Sequence, residues 1–189
     1  MKIIVGITGA SGSIYAYQLI TKLLALPSTI VSQIAIVYSE TGRQVWDYEL
    51  NSDPITNERV SYYKHSDFFA PIASGSAQFA AMVVVPCSMG TLGKIASGTS
   101  NDLLIRAADV MLKERRKLIV VPREAPLNLI HIENFKTITL AGGIIIPASP
   151  SFYSKPQSIE ELVNTVIDRI VAQLGIEIDS YRWGGRGEV

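Results

Sequence analysis

This chain has a single cysteine, only two histidines and no excess of charge: 17 basic and 17 acidic side chains cancel over 189 residues. One cysteine excludes an internal disulfide framework and fits a reducing cytosol, so a cytoplasmic location is expected. His65 and His131 stand apart, with no metal-ligand spacing and no clustered acidic partner, so surface or packing roles suit both. Balanced charge argues against a broad nucleic-acid footprint, although not against a local cationic pocket. No apolar run reaches the roughly 18 residues that a membrane-spanning helix needs. The first apolar run is interrupted at Gly6 and Gly9, too early for a signal-peptide core with its cleavage site. There is no internal repeat and no low-complexity segment. One domain over 1–189 with a sizeable core is the simplest expectation, ending in a polar, glycine-rich tail from Arg182 to Gly187.

What is present is alternation. Residues 2–8 form a β-branched, nearly continuous apolar run bounded by glycine, which predicts a buried parallel strand. Residues 13–25 follow as a helix, with Ile14, Tyr17, Leu19, Leu23 and Leu24 along one side. Further strands are predicted at 30–38, 60–63, 81–85, 117–121 and 144–146, with Pro86 ending the 81–85 strand. Helical patterns fill 41–50, 89–96, 102–115, 128–141 and 158–174. Asn101 or Asp102 is placed to cap one of these, and Ser158 with Glu161 spells a capping box. The alternation predicts an α/β fold: a doubly wound, Rossmann- or flavodoxin-like parallel sheet, helices on both faces, right-handed connections. Such sheets bind ligands at the carboxyl ends of their strands.

Three segments at those ends carry candidate chemistry. In Gly9-Ala10-Ser11-Gly12, glycines allow a tight turn and bring N–H groups close to a phosphate, beside the partial positive charge of a helix start. The segment lacks the third glycine of a dinucleotide fingerprint and the lysine of a P-loop, and a plain strand-to-helix turn has the same spacing. A nucleophile-elbow role for Ser11 is disfavoured by the glycine spacing and the lack of a histidine partner. The segment from Pro86 to Thr91 offers Ser88, Thr91 and free N–H groups to a flavin ring or ribityl chain, or is again a turn. Cys87 within it reads as a small buried residue. Arg123-Glu124, pinned between Pro122 and Pro126, sets a phosphate-gripping guanidinium beside a carboxylate able to orient it or move a proton. Arg106 and Lys113, seven apart, share a helix face, for which a solvated surface is the plainer reading.

In order along nearly the whole chain, several stretches resemble the UbiX/Pad flavin prenyltransferases. They are Thr8-Gly9-Ala10-Ser11-Gly12, Ala73-Ser74-Gly75-Ser76, Pro86-Cys87-Ser88-Met89-Gly90-Thr91-Leu92, Arg106-Ala107-Ala108-Asp109-Val110, Lys113-Glu114-Arg115-Arg116, Val121-Pro122-Arg123-Glu124-Ala125-Pro126 and Pro150-Ser151-Phe152-Tyr153. The resemblance implies an enzyme that joins the dimethylallyl group of dimethylallyl monophosphate to N5 and C6 of reduced FMN. The product, prenylated FMN, would serve a UbiD-type decarboxylase. Transfer without a metal is implied, which suits a sequence with no acidic diphosphate–magnesium motif; the leaving monophosphate then needs fixed cations. The resemblance assigns FMN binding to Gly9, Ala10, Ser11, Ser39, Ser88, Met89, Gly90, Thr91 and Arg123. It places Arg106, Lys113, Glu124, Tyr153 and Arg169 around the prenyl phosphate. Ser11, Glu49, Glu124 and Trp183 become catalytic candidates, Trp183 because a π face stabilises an allylic cation. On this reading the tail, 176–189, orders over the site. Homo-oligomers, commonly dodecamers with sites at subunit interfaces, are implied too, so some of these residues serve a neighbouring subunit.

Two other readings fit the same residues. A flavin-dependent cysteine decarboxylase of the related flavoprotein group would share the fold. Its Pro-Ala-Ser-Ala-Asn-Thr stretch stands here as Pro86-Cys87-Ser88-Met89-Gly90-Thr91, and its catalytic histidine has only His65 as a counterpart. An FMN carrier without chemistry would need the flavin cradle but no second phosphate site.

Overall fold

The computed structural model describes residues 1–181 and Gly184. Its strands are β1 (Lys2–Ile7), β2 (Gln33–Tyr38), β3 (Val60–Tyr63), β4 (Ala81–Cys87), β5 (Lys117–Pro122) and β6 (Ile144–Ile145). They form one parallel sheet in the order β3-β2-β1-β4-β5-β6. The helices are α1 (Ser13–Ala25), α2 (Glu40–Leu50), α3 (Met89–Ser97), α4 (Leu103–Lys113), α5 (Leu129–Leu140) and α6 (Ile159–Leu174). This is the doubly wound order of the Rossmann type, as the alternation predicts. Winding reverses between β1 and β4, so the ligand crevice of such a sheet opens between their carboxyl ends.

The central strands are apolar on both sides because both sides are covered. Ile3, Val5 and Ile7 of β1, with Ile34, Ile36, Val83 and Val85 beside them, pack into one core with α1 and α6. The alternate residues Ile4, Val37, Met82, Val84 and Val120 face α3, α4 and Ile138 of α5. Truncating one of these side chains to alanine costs about 2–5 kcal/mol.

Two boundaries differ from the sequence expectation. β2 begins at Gln33 because the N–H groups of Ile30 and Val31 both turn back to the Pro27 carbonyl, at 2.9 and 3.1 Å. Pro86 does not end β4, which runs through a cis Val85–Pro86 peptide to Cys87. The register against β5 shifts between Val84 and Cys87, so the missing N–H of Pro86 falls where no ladder bond is needed.

Helix starts follow side-chain chemistry. Ser39, Ser88, Asp102, Asn128 and Ser158 each accept the N–H of the residue three further on. Asp102 is therefore the cap of α4. Glu161 does not close the expected box on Ser158; its carboxylate accepts the Gln157 N–H at 2.7 Å. His131 completes a reciprocal box on α5, its Nδ1 accepting the Asn128 N–H at 3.4 Å.

Candidate functional site

The loops after β1, β2, β4 and β5 meet at the carboxyl edge of the sheet. Gly9 presses against the start of α2, where a Cβ would lie 2.4 Å from Thr41 Oγ1. Ala10 is buried behind it and Ser11 is exposed. Ser39 caps α2, accepting the Gly42 N–H at 3.0 Å. Ser88 caps α3: its hydroxyl accepts the Thr91 N–H at 3.3 Å and donates to Thr91 Oγ1 at 3.1 Å. The N–H groups of Met89 and Gly90, in the first turn, have no acceptor within a helix. A Cβ on Gly90 would meet nothing within 4 Å. Arg123 leaves β5 with its N–H on the Cys87 carbonyl at 3.2 Å and its Nε on the Ser11 carbonyl at 3.1 Å. Hydroxyls, open N–H groups and a guanidinium thus line one glycine-bounded edge, a donor set that fits a phosphorylated flavin. All the flavin-binding candidates lie here.

The start of α1 differs from the expected phosphate cradle. Its cap, Gly12, has φ 111° and no side chain with which to cap the helix. Glu49 of α2 supplies the anion instead: Gly12 N–H donates to it at 2.9 Å and Ser13 N–H at 2.7 Å. Burial raises the pKa of this carboxyl, but hydrogen bonds from the Ser11 side chain and the Ser13 and Gly12 N–H groups outweigh burial and hold it below the ordinary value. The helix terminus predicted for a ligand's phosphate is therefore filled by the protein's own carboxylate. The donors left for a phosphate are those at the starts of α2 and α3 and on Arg123.

Of the remaining candidates, Arg106, Lys113, Tyr153 and Arg169 lie on other elements of the protomer. Arg106 on α4 donates Nε to the Ala73 carbonyl at 3.2 Å and pairs with Asp109 at 2.6 Å. Lys113 ends α4 and pairs with Glu114 at 2.5 Å. Glu114 packs on Gly75 and lies 3.8 Å from Arg116. Because the chain turns directly from α4 into β5, Lys113 lies near the amino edge of the sheet. The length of β5 separates it from Arg123, about 20 Å at roughly 3.3 Å per residue. Tyr153 and Arg169 line a third place, a cavity of about 1110 Å³ between α6, the segment before it and the segment after it. The ion pair of Lys22 on α1 with Asp168 on α6 forms part of its wall. Glu124 is exposed beside Arg123, accepting the N–H of Ala125 at 3.1 Å. Trp183 lies outside the described residues. Of the tail, Ile176 and Ile178 pack on the first core, and Tyr181 lines the cavity. Among the described residues no group of three or more acidic, histidine or cysteine side chains is placed to hold a metal. No helix there is long and apolar enough to cross a membrane.

A Rossmann-ordered sheet with a donor-lined switch point defines a flavin-binding class, and the sequence pattern of the Flavoprotein family matches residues 1–171. The chain belongs to that family and, within it, to the UbiX flavin prenyltransferases. The flavin prenyltransferase UbiX of Methanocaldococcus jannaschii is 44% identical over 187 residues, spanning 97% of this chain and 99% of the relative. A dodecameric FMN-dependent UbiX-like decarboxylase from Escherichia coli O157:H7 superposes with a TM-score of 0.88 at 37% identity, over 98% of this chain and 100% of that one. AnUbiX, crystallised with FMN and dimethylallyl pyrophosphate, superposes with a TM-score of 0.84 at 36% identity, over 96% of this chain and 98% of that one. The peptidyl-cysteine decarboxylase EpiD shares the fold alone, with a TM-score of 0.57 at 17% identity over 79% of this chain and 81% of that one.

Proposed function

We propose that this chain is a flavin prenyltransferase that joins the dimethylallyl group of dimethylallyl monophosphate to N5 and C6 of reduced FMN. The observation that carries the reading is the donor edge at the β1–β4 switch point, in a chain that matches a flavin prenyltransferase end to end. Bound reduced FMN supplies the nucleophilic nitrogen and ring carbon. The open N–H groups of Met89 and Gly90, with Ser39, Ser88, Thr91 and Arg123, hold its polar groups, and Gly9 and Ala10 let it approach the backbone. Ser11, held by Glu49, orients the flavin edge, and Glu124 moves a proton there. Arg106, Lys113, Tyr153 and Arg169 surround the prenyl phosphate, fixed cations stabilising the charge that develops as it leaves. Trp183 supplies a π face to the allylic group.

One protomer keeps these residues in three places, so the complete site is shared between neighbouring copies. Large apolar side chains stand uncovered beside the site residues: Leu129 is 70% exposed just beyond Glu124, and Phe152 is 71% exposed next to Tyr153. Uncovered apolar surface of this kind marks a protein–protein contact. A dodecamer like the E. coli neighbour's would bring the edge of one copy to the cavity of another. The cytoplasm is the proposed location, and a UbiD-type decarboxylase the proposed recipient of the product.

Anaerobic incubation with reduced FMN and dimethylallyl monophosphate, followed by mass spectrometry of the extracted flavin, tests the reading. A gain of one C5 prenyl unit is expected. Bound but unmodified FMN would turn the assignment towards a carrier, and oxidation of a peptide with a C-terminal cysteine would turn it towards a cysteine decarboxylase.

A further inference from the structure

Thr8 is fully buried, one of two polar residues with no exposure among those described. It stands where the sheet should come apart. The β1–β4 ladder ends at Gly6↔Val84, and beyond it Pro86 has no N–H while the register of β4 slips. At Pro86 the backbone can accept from β1 but cannot donate to it, and this is the switch point at which the crevice opens.

The side chain of Thr8 closes the gap. Its hydroxyl donates to the Pro86 carbonyl at 2.8 Å and accepts the Ser88 N–H at 2.8 Å. Its own N–H also donates to the Pro86 carbonyl, at 3.3 Å. One hydroxyl therefore ties the end of β1 to the residue that caps α3. Thr8 also adjoins Gly9, so it sets the distance between the loop after β1 and the open first turn of α3. Arg123, which also ties across this edge, lies in the crevice and is exposed. Thr8 does not reach the crevice and acts only through its neighbours.

We propose that Thr8 is a positioning residue for the flavin: its hydroxyl fixes Ser88 and the start of α3 against the Gly9–Ser11 loop, holding the donor edge in shape before FMN arrives. The inference rests on the reading of that edge as the FMN site. Thr8→Val keeps the shape of the side chain and removes the hydroxyl, leaving the Ser88 N–H without its acceptor. Thr8→Ser keeps the hydroxyl and removes the methyl.

The test is FMN binding by fluorescence titration, the visible circular dichroism of bound FMN, and amide hydrogen exchange of unliganded wild-type protein. Thr8→Val should bind FMN about tenfold more weakly, the scale of an orphaned buried donor, with an altered dichroism spectrum. Thr8→Ser should match wild type in both. Without ligand, the Ser88 amide should be protected while those of Met89 and Gly90 exchange quickly. Wild-type affinity and spectrum in Thr8→Val would overturn the proposal. So would equal weakening in Thr8→Ser, which would assign the effect to the methyl group. If Thr8→Val does not fold, the exchange measurement decides, and a Ser88 amide as labile as that of Met89 refutes the tie. Failure of the wild type to bind FMN would strike the cofactor reading and the flavin-positioning role with it, whereas a labile Ser88 amide in a protein that binds FMN would strike the Thr8 tie alone.

Discussion

Glu49 keeps its charge at the start of α1, so its contribution depends on pH. Its pKa is lowered in the folded protein, so the stability it adds is complete above the unfolded carboxylate pKa and disappears as pH falls through the lowered one. Glu49→Gln should therefore lower the urea midpoint at neutral pH by an amount equivalent to about 0.3–1 kcal/mol for this exposed site. The difference from wild type should shrink as pH falls through the lowered pKa. A difference that stays constant with pH would show that the charge contributes nothing. Two glycines make a contrasting pair. Gly9→Ala drives a Cβ to within 2.4 Å of Thr41 Oγ1 and 2.7 Å of Thr41 Cβ, so it should cost about 1–3 kcal/mol and weaken FMN binding. Gly90→Ala meets open space in a helix and should raise stability by about 0.5–1 kcal/mol in the same denaturation assay. The glycine loop after β1 was legible as a tight turn at the sheet's carboxyl edge because glycines that follow an apolar run let the backbone turn there. That Glu49 would fill the start of α1 was not, since the two lie on different elements, 37 residues apart.

At the scale of elements, caps and periodicity read well because their causes are local. Asp102 and Ser158, the caps legible in the sequence, each sit within three residues of the N–H they accept, whereas the capping roles of Ser39 and Ser88 emerged only in the structure. Pro86 misled because whether a proline breaks a strand depends on which neighbour needs its N–H, and the shifted register of β5 removes that need. The end of α1 shows a tie with no sequence signal. Arg59, just before β3, donates Nη1 to the carbonyls of Leu26 at 2.9 Å and Val31 at 3.0 Å, and Nη2 to that of Leu24. Its planar fork serves three carbonyls that a single ammonium cannot span. Arg59→Ala should destabilise by about 1–3 kcal/mol, and Arg59→Lys should recover less than half of that in urea unfolding. Full recovery with lysine would reduce the tie to a point charge.

The whole molecule carries the questions that one copy leaves open. Lys113 ends α4 and Arg169 lines the cavity beside α6, apart from the loops of the flavin edge, so the proposed site calls for a second copy. Arg123→Ala damages the edge and Arg169→Ala damages the cavity. Each alone should abolish prenyl transfer. Subunits of the two variants, dissociated and reassembled together, should regain activity in about a quarter of the sites, those that draw an intact edge and an intact cavity from different copies. No recovery in verified mixed oligomers would mean that each site is built within one chain. The sequence by itself determined the strands, the helices, the cap of α6, that of α4 to within one residue, and the glycine and arginine loops at the strand ends, because these depend on residue period and on partners a few positions away. Only the tertiary structure decided that Glu49 occupies the start of α1, that Thr8 bridges the chain at Pro86, and that the candidate anion-binding residues divide among three places. Those outcomes depend on which distant groups the sheet order brings together, and no spacing along the chain encodes a distance across it.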